Sequence, residues 1–359
     1  MTDVTDRGSR TPLGYGTRVL LTLAAAVVLF VGVWFARDIV GPAAIAAVVV
    51  IIANPVRRPL ERRGWPNWLA TTAVIAVAYA ILLVIAGLVV FAFAQFIAML
   101  PDYADELQAT AGSVAAWIES LGLGEEAADA TSSALDPATI VPIVTALGES
   151  VLGVATAFFF VLAYAIFMAA DAARVSRSGL MFGSAAADAI GRRYFTGVRR
   201  YYIVNATFGA IVAVIDGLLL WALGIPVPIV WAILAFVTNF VPNIGFVLGL
   251  IPPAVLALVV GGWQLALIVV LIYSVVNVVL QVLVQPKFVS DAVSLSLTLT
   301  FVSVVFWTLV IGPVGAILSI PLTLLVRALV LEPDDRAMTL RRLSGESLES
   351  PVAPPPARG

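Results

Sequence analysis

Apolar residues run along this chain in long blocks rather than in alternation. They occupy residues 19–36, 39–53, 68–100, 151–170, 203–223, 228–260, 263–285 and 294–330, separated by short polar or Pro/Gly-marked breaks. A hydrocarbon core about 30 Å thick takes about 20 apolar residues of helix to cross, so the blocks read as membrane segments. The pattern predicts an all-α, polytopic membrane protein with about eight hydrophobic segments. The second block, residues 39–53, is short and predicts a tilted or irregular helix. The third, residues 68–100, predicts a helix of roughly 50 Å that projects beyond the bilayer. The first block is longer than a signal-peptide core and reads as a retained helix.

Between the blocks, charge reports topology. Arginines gather at Arg7, Arg10 and Arg18, at Arg57, Arg58, Arg62 and Arg63, and at Arg174, Arg177, Arg192, Arg193, Arg199 and Arg200. By the positive-inside rule these stretches face the cytoplasm. Residues 101–150 carry Asp102, Asp105, Glu106, Glu119, Glu125, Glu126, Asp129, Asp136 and Glu149 with no Lys or Arg, and so face outward. Within them Leu107, Val114, Ile118 and Leu121 are spaced as on an amphipathic helix. The expected organisation is a cytoplasmic tail (1–17), N-terminal transmembrane helices (18–100), an extracytoplasmic acidic segment (101–150), a transmembrane helix with an Arg-rich cytoplasmic loop (151–200), a transport repeat domain (201–330) and a cytoplasmic tail (331–359). That last tail ends in a Pro-rich run and is expected to be disordered.

Composition narrows the chemistry. With 61% hydrophobic and 12% charged residues, the chain is far too apolar for a soluble domain. Cysteine and histidine are absent, which removes thiolate and disulfide chemistry, Cys/His zinc sites, His-ligated haem and the Ser-His-Asp triad. No enzyme activity, cofactor or metal is expected. A net charge of −2 and a single lysine, Lys287, leave no nucleic-acid footprint.

Two of the apolar blocks are interrupted alike. One break is Val241-Pro242-Asn243-Ile244-Gly245 and the other is Ile311-Gly312-Pro313-Val314-Gly315, and each runs on into an Ile-Pro, at Pro252 and Pro321. The match points to an internal duplication. Proline and glycine within a membrane segment free backbone groups that need a partner or water, and paired breaks of this kind mark transporter binding sites. If residues 228–260 and 294–326 are hairpins, the C-terminal half is an inverted repeat and Lys287 lies inside. If they are single spanning helices, Lys287 lies outside.

Polar side chains within the blocks supply candidate site residues. Asp216 sits amid apolar neighbours, and a charge at that depth costs about 2.5–3.5 kcal/mol on insertion scales, so it should face a cavity or partner, or be protonated. It is the candidate ion or proton site. Asn205, three helical turns earlier, shares its face. Tyr273, Asn277, Gln281 and Gln285 recur every four residues as one polar stripe, and Asn239 and Asn243 bracket the first break. Such amides face protein or water rather than lipid. With Pro242, Gly245, Gly312, Pro313 and Gly315 these residues make up the expected pathway.

Phe240-Val241-Pro242-Asn243-Ile244-Gly245 with Ile251-Pro252, Gln285-Pro286-Lys287, and the run from Ile311 to Leu322 together resemble the autoinducer-2 exporter family of bacterial transporters. The resemblance covers roughly residues 18–330. It implies a multi-pass permease of the bacterial inner membrane that is homo-oligomeric; the arginine distribution and the number of spans place both termini in the cytoplasm. Some members are linked to export of the signalling molecule autoinducer-2 and others to sodium/proton antiport. The sequence departs from the family pattern at Asn243, at Leu280 and at Ser294 to Leu297, inside the expected pathway, so neither substrate nor coupling ion is carried over. The leading expectation is a secondary transporter of a small polar solute with the lipid bilayer as its solvent. The alternatives are a Na+/H+ antiporter and a non-transporting membrane scaffold.

Overall fold

The computed structural model describes residues 15–120, 142, 158–172, 184–242, 244–285, 288 and 295–330, and every regular element among them is helical. In chain order these are α1 (Tyr15–Phe35), α2 (Arg37–Ala53), α3 (Arg57–Arg62), α4 (Asn67–Met99), α5 (Ala104–Ser120), α6 (Phe158–Ala172), α7 (Ala185–Ala222), α8 (Pro228–Thr238), α9 (Gly245–Asn277), α10 (Leu297–Ile311) and α11 (Pro313–Val330). Five stretches, Arg37–Arg62, Asn67–Met99, Ala187–Ala222, Gly245–Val284 and Pro313–Val330, are long and apolar enough to cross a membrane. Large apolar side chains such as Leu20, Val28, Leu83 and Leu309 stand exposed on helix faces, where lipid rather than water surrounds them. The chain is an all-α, multi-pass membrane protein.

The short second block is a regular helix, not an irregular one. After α2 the sequence Asn54-Pro55-Val56 tightens into a single 3₁₀ turn, because proline at the start of a turn has no hydrogen bond to lose there. The chain then continues as α3. The buried guanidinium of Arg57 donates to Glu61 at 2.6 Å and to Thr71 Oγ1 at 2.8 Å, which fastens α3 to the start of α4. The third cluster of arginines departs from expectation. Arg192, Arg193, Arg199 and Arg200, expected in a loop, lie on α7, which starts about five turns before its apolar block. Ser184 caps this start by accepting from the Ala187 N–H at 3.1 Å, and Asp188 pairs with Arg192 one turn on at 3.7 Å. Local caps and pairs sustain helix where hydropathy falls away.

Both interrupted blocks are helical hairpins. In the first, α8 is only 11 residues, about half a bilayer crossing, and the chain turns back into α9. Close approach sets the turn: a Cβ on Gly245 would run into the carbonyl oxygen of Thr238, and one on Gly249 would sit 3.5 Å from Ala235 Cα. The second hairpin reverses at Gly312, whose φ of 79° is open to glycine but strained for other residues. There a Cβ on Gly315 would run into the carbonyl oxygen of Trp307. The two breaks therefore match in space as well as in sequence, with a glycine opening each return limb against the carbonyl end of the first limb. Lys287, whose position bears on the same choice between hairpins and spanning helices, lies outside the described residues.

α9 reverses once more at Gly262 (φ 72°, ψ −172°), so that Leu256 and Ala257 on its first limb pack with Val269 and Tyr273 on its second. Beyond Asn277 the helix widens into a π segment over Val278–Val284. α7, the first hairpin and the second limb of α9 thus lie alongside one another. The second hairpin packs elsewhere, with Ile311 and Val314 against Gly41 of α2 and Trp307 against Phe30 of α1.

Candidate functional site

Small residues let α7 and the first hairpin come close. Gly209, Ala213 and Gly217 recur at intervals of four on α7, the spacing of small-residue membrane interfaces. A Cβ on Gly217 would lie 2.9 Å from the Ala232 methyl, and one on Gly209 would lie 2.7 Å from Asn239 Nδ2. The gap left by Gly209 admits the Asn239 side chain, which donates to the Asn205 carbonyl oxygen at 2.9 Å. The Asn205 side chain in turn accepts from Gln285 Nε2 at 2.6 Å, across 80 residues of chain. Asn205, Asn239 and Gln285 therefore form one buried knot where α7, the hairpin tip and the end of the π segment meet. Each amide that lipid could not have satisfied finds a protein partner here.

Farther along α7, Asp216 has no exposed surface, and neither of its carboxylate oxygens receives a hydrogen bond. It lines a crevice too narrow to admit a water molecule, together with Val212, Thr238, Phe246, Gly249 and the stripe residues Tyr273, Asn277 and Gln281. The Asn277 amide faces the carboxyl group. Its orientation is fixed along the second limb of α9. Asn277 Nδ2 donates to the Tyr273 carbonyl at 2.8 Å, and its Oδ1 accepts from Gln281 Nε2 at 2.5 Å, which leaves one N–H of Nδ2 toward Asp216. The Tyr273 hydroxyl is fully buried and makes no hydrogen bond. Pro253 has no N–H, so the carbonyl of Gly249, one turn earlier on the crevice wall, lacks its helical donor.

The structure thus collects the sequence-derived residues into two groups. Asp216, Tyr273, Asn277 and Gln281 line the crevice, and Asn205, Asn239 and Gln285 form the knot. Pro242 and Gly245 build the hairpin turn that carries Asn239. Gly312, Pro313 and Gly315 lie at the second hairpin, against α2 and away from the crevice lining. Asn243 lies outside the described residues. Thr238, Gly249 and Gly209 were not singled out from the sequence. The small-residue spacing from Gly209 to Gly217 was the available signal for the last of these.

The second hairpin is held to the same helix. Pro321 leaves the Ile317 carbonyl without its helical donor, and the Tyr202 hydroxyl supplies one at 2.9 Å. Tyr202 also stacks on Phe240 of the first hairpin, with ring centroids 6.2 Å apart.

A model of the AI-2E family transporters matches residues 23–332. The chain belongs to this family. Among its relatives, the AI-2 transport protein TqsA of Escherichia coli strain K12 is 26% identical over 314 residues, covering 87% of this chain and 91% of TqsA. The putative transport protein YhhT of the same strain is 28% identical over 310 residues, 86% of this chain and 88% of YhhT. The putative transport protein MT0215 of Mycobacterium tuberculosis is 30% identical over 339 residues, 87% of this chain and 88% of MT0215. As an AI-2E family transporter, the chain acts on a small-molecule substrate within a lipid bilayer.

Proposed function

We propose that this AI-2E family transporter is a non-enzymatic secondary transporter of the bacterial inner membrane that moves a small polar solute past the crevice at Asp216. The observation that carries the reading is the buried, unpartnered Asp216 facing a stripe of amides at the meeting of four helical limbs. A polar group without a hydrogen bond is costly in hydrocarbon, and it persists where it meets a cargo or a coupling ion during the cycle. The arginines of α3 and α7 face the cytoplasm, both termini are cytoplasmic and the acidic stretch of residues 101–150 faces outward. The exposed Trp65 and Trp68 near the start of α4, and Trp34, Trp221 and Trp263 at helix ends, fit interfacial belts. The protein works as a homo-oligomer.

AI-2 is the first solute to test, because one relative is named for its transport. Proteoliposomes carrying the wild-type chain should take up or release labelled AI-2 well above empty vesicles. Asn277→Leu should cut that flux at least tenfold with unchanged insertion. Equal flux in wild type and Asn277→Leu would remove the crevice from the pathway. A Na+/H+ antiporter is the second reading, with Asp216 carrying its proton. It predicts proton movement driven by a sodium gradient with no solute present.

A further inference from the structure

We propose that Asp216 is a proton-binding site, occupied in the closed conformation described here, with Tyr273 and Asn277 as its positioning residues and without sodium as a ligand. This deepens the transport reading, since it names the coupling ion of the same crevice. Asp216 is wholly buried and neither oxygen has a hydrogen bond. Among the described residues, the titratable side chain facing it is the Tyr273 hydroxyl, and no Arg, Lys or second carboxylate lines the crevice from α7, α8 or either limb of α9. In such surroundings the Asn277 amide alone offsets little of the hydration a bare carboxylate loses, so a bound ion that neutralises the charge is strongly favoured.

The geometry selects the proton. A metal cation needs several oxygens closing around it, and the crevice is too constricted to hold a hydrated ion. One oxygen that could have contributed, Asn277 Oδ1, is already engaged by Gln281. A proton needs only one Asp216 oxygen. The step balances simply: when the crevice opens, a carboxylate oxygen takes H+ from hydronium in the aqueous phase and leaves a water molecule, the site charge goes from −1 to 0, and release reverses this. Once the carboxylate is ionised, the spare N–H of Asn277 and the free Tyr273 hydroxyl are the donors placed to hold it.

Infrared difference spectroscopy of the purified protein in lipid tests the site without reference to flux. At neutral pH the wild type should show the carbonyl band of a protonated carboxyl group, lost on raising the pH. D216N should lose the band, and Tyr273→Phe, which removes a donor to the ionised form alone, should keep the band to a higher pH. Asp188→Asn should keep it, because Asp188, the other buried aspartate among the described residues, is paired with Arg192. Should D216N not yield monodisperse protein, Asp216→Glu should move the band instead. Exchanging N-methylglucamine chloride for sodium chloride at constant pH should leave it unchanged. No band at neutral pH, a band that survives in folded D216N, or one abolished by sodium overturns the proposal. AI-2 flux is measured on the same preparations. A band without flux keeps the proton site and counts against the transport reading, whereas flux without a band does the reverse.

Discussion

Replacing Gly209 by alanine tests the packing that positions the buried knot. The added methyl would sit 2.7 Å from Asn239 Nδ2, 3.2 Å from its Cγ and 3.3 Å from its Cβ, so the whole Asn239 side chain must leave. Its hydrogen bond to the Asn205 carbonyl is then lost, while that carbonyl keeps its helical donor within α7. One displaced amide left without its buried acceptor costs about 1–3 kcal/mol. Alanine also favours helix over glycine by about 1 kcal/mol, which opposes the loss. Gly87→Ala on α4 measures that gain alone, because nothing lies within 4 Å of its added methyl. Relative to Gly87→Ala, Gly209→Ala should be about 2 kcal/mol less stable, a fall of roughly 2–4 °C in the melting temperature of the purified protein. In an Asn239→Ala background only the 3.3 Å contact with Cβ remains, and Gly209→Ala should then come close to Gly87→Ala. Equal costs in the two backgrounds would refute the clash.

Three further outcomes follow from the same geometry. Gly245→Ala and Gly315→Ala should each destabilise by about 1–3 kcal/mol or more in thermal melts, since their methyls meet backbone carbonyls that cannot rotate away; a neutral result at either would deny the close approach there. Tyr202→Phe should cost about 1 kcal/mol in the same melts and markedly less in a Pro321→Ala background, where the helix supplies its own donor to Ile317. Gln281→Leu should lower flux in proteoliposomes while leaving membrane yield intact, because it releases the Asn277 amide rather than a packing contact; full flux would dismiss Gln281 as an orienting group.

Much of the architecture was legible in the sequence because a bilayer imposes a length on apolar runs, and the all-α membrane fold follows from that constraint. The hairpins were legible as possibilities: the Pro/Gly breaks marked where helices end, and only contacts such as Gly245 against Thr238 show that the chain turns back. The stripe from Tyr273 to Gln285 could be read from its spacing of four. Its division between crevice and knot could not, since Gln285 meets Asn205 across 80 residues. The start of α7 was hidden because its arginines look like loop to a hydropathy measure, whereas the Ser184 cap and the Asp188–Arg192 pair are local signals of another kind. Gly209, Thr238 and Gly249 escaped notice because their importance lies in what approaches them.

Tyr202 and Asn205 stand one turn apart on α7, and each satisfies a hairpin: Asn205 accepts from the first at Asn239, and Tyr202 donates to the second at Ile317. This pairing bears on the order of biogenesis. An 11-residue α8 is too short to partition into a bilayer as an independent span, and its tip carries an amide that lipid would leave unsatisfied. The ribosome delivers α7 before either hairpin, so the acceptor and the donor are in place before the groups that need them emerge. Chain order thereby lets each half-crossing enter against a template already made, and a permutation that moved α7 behind its hairpins would present the translocation machinery with segments that have nowhere to dock.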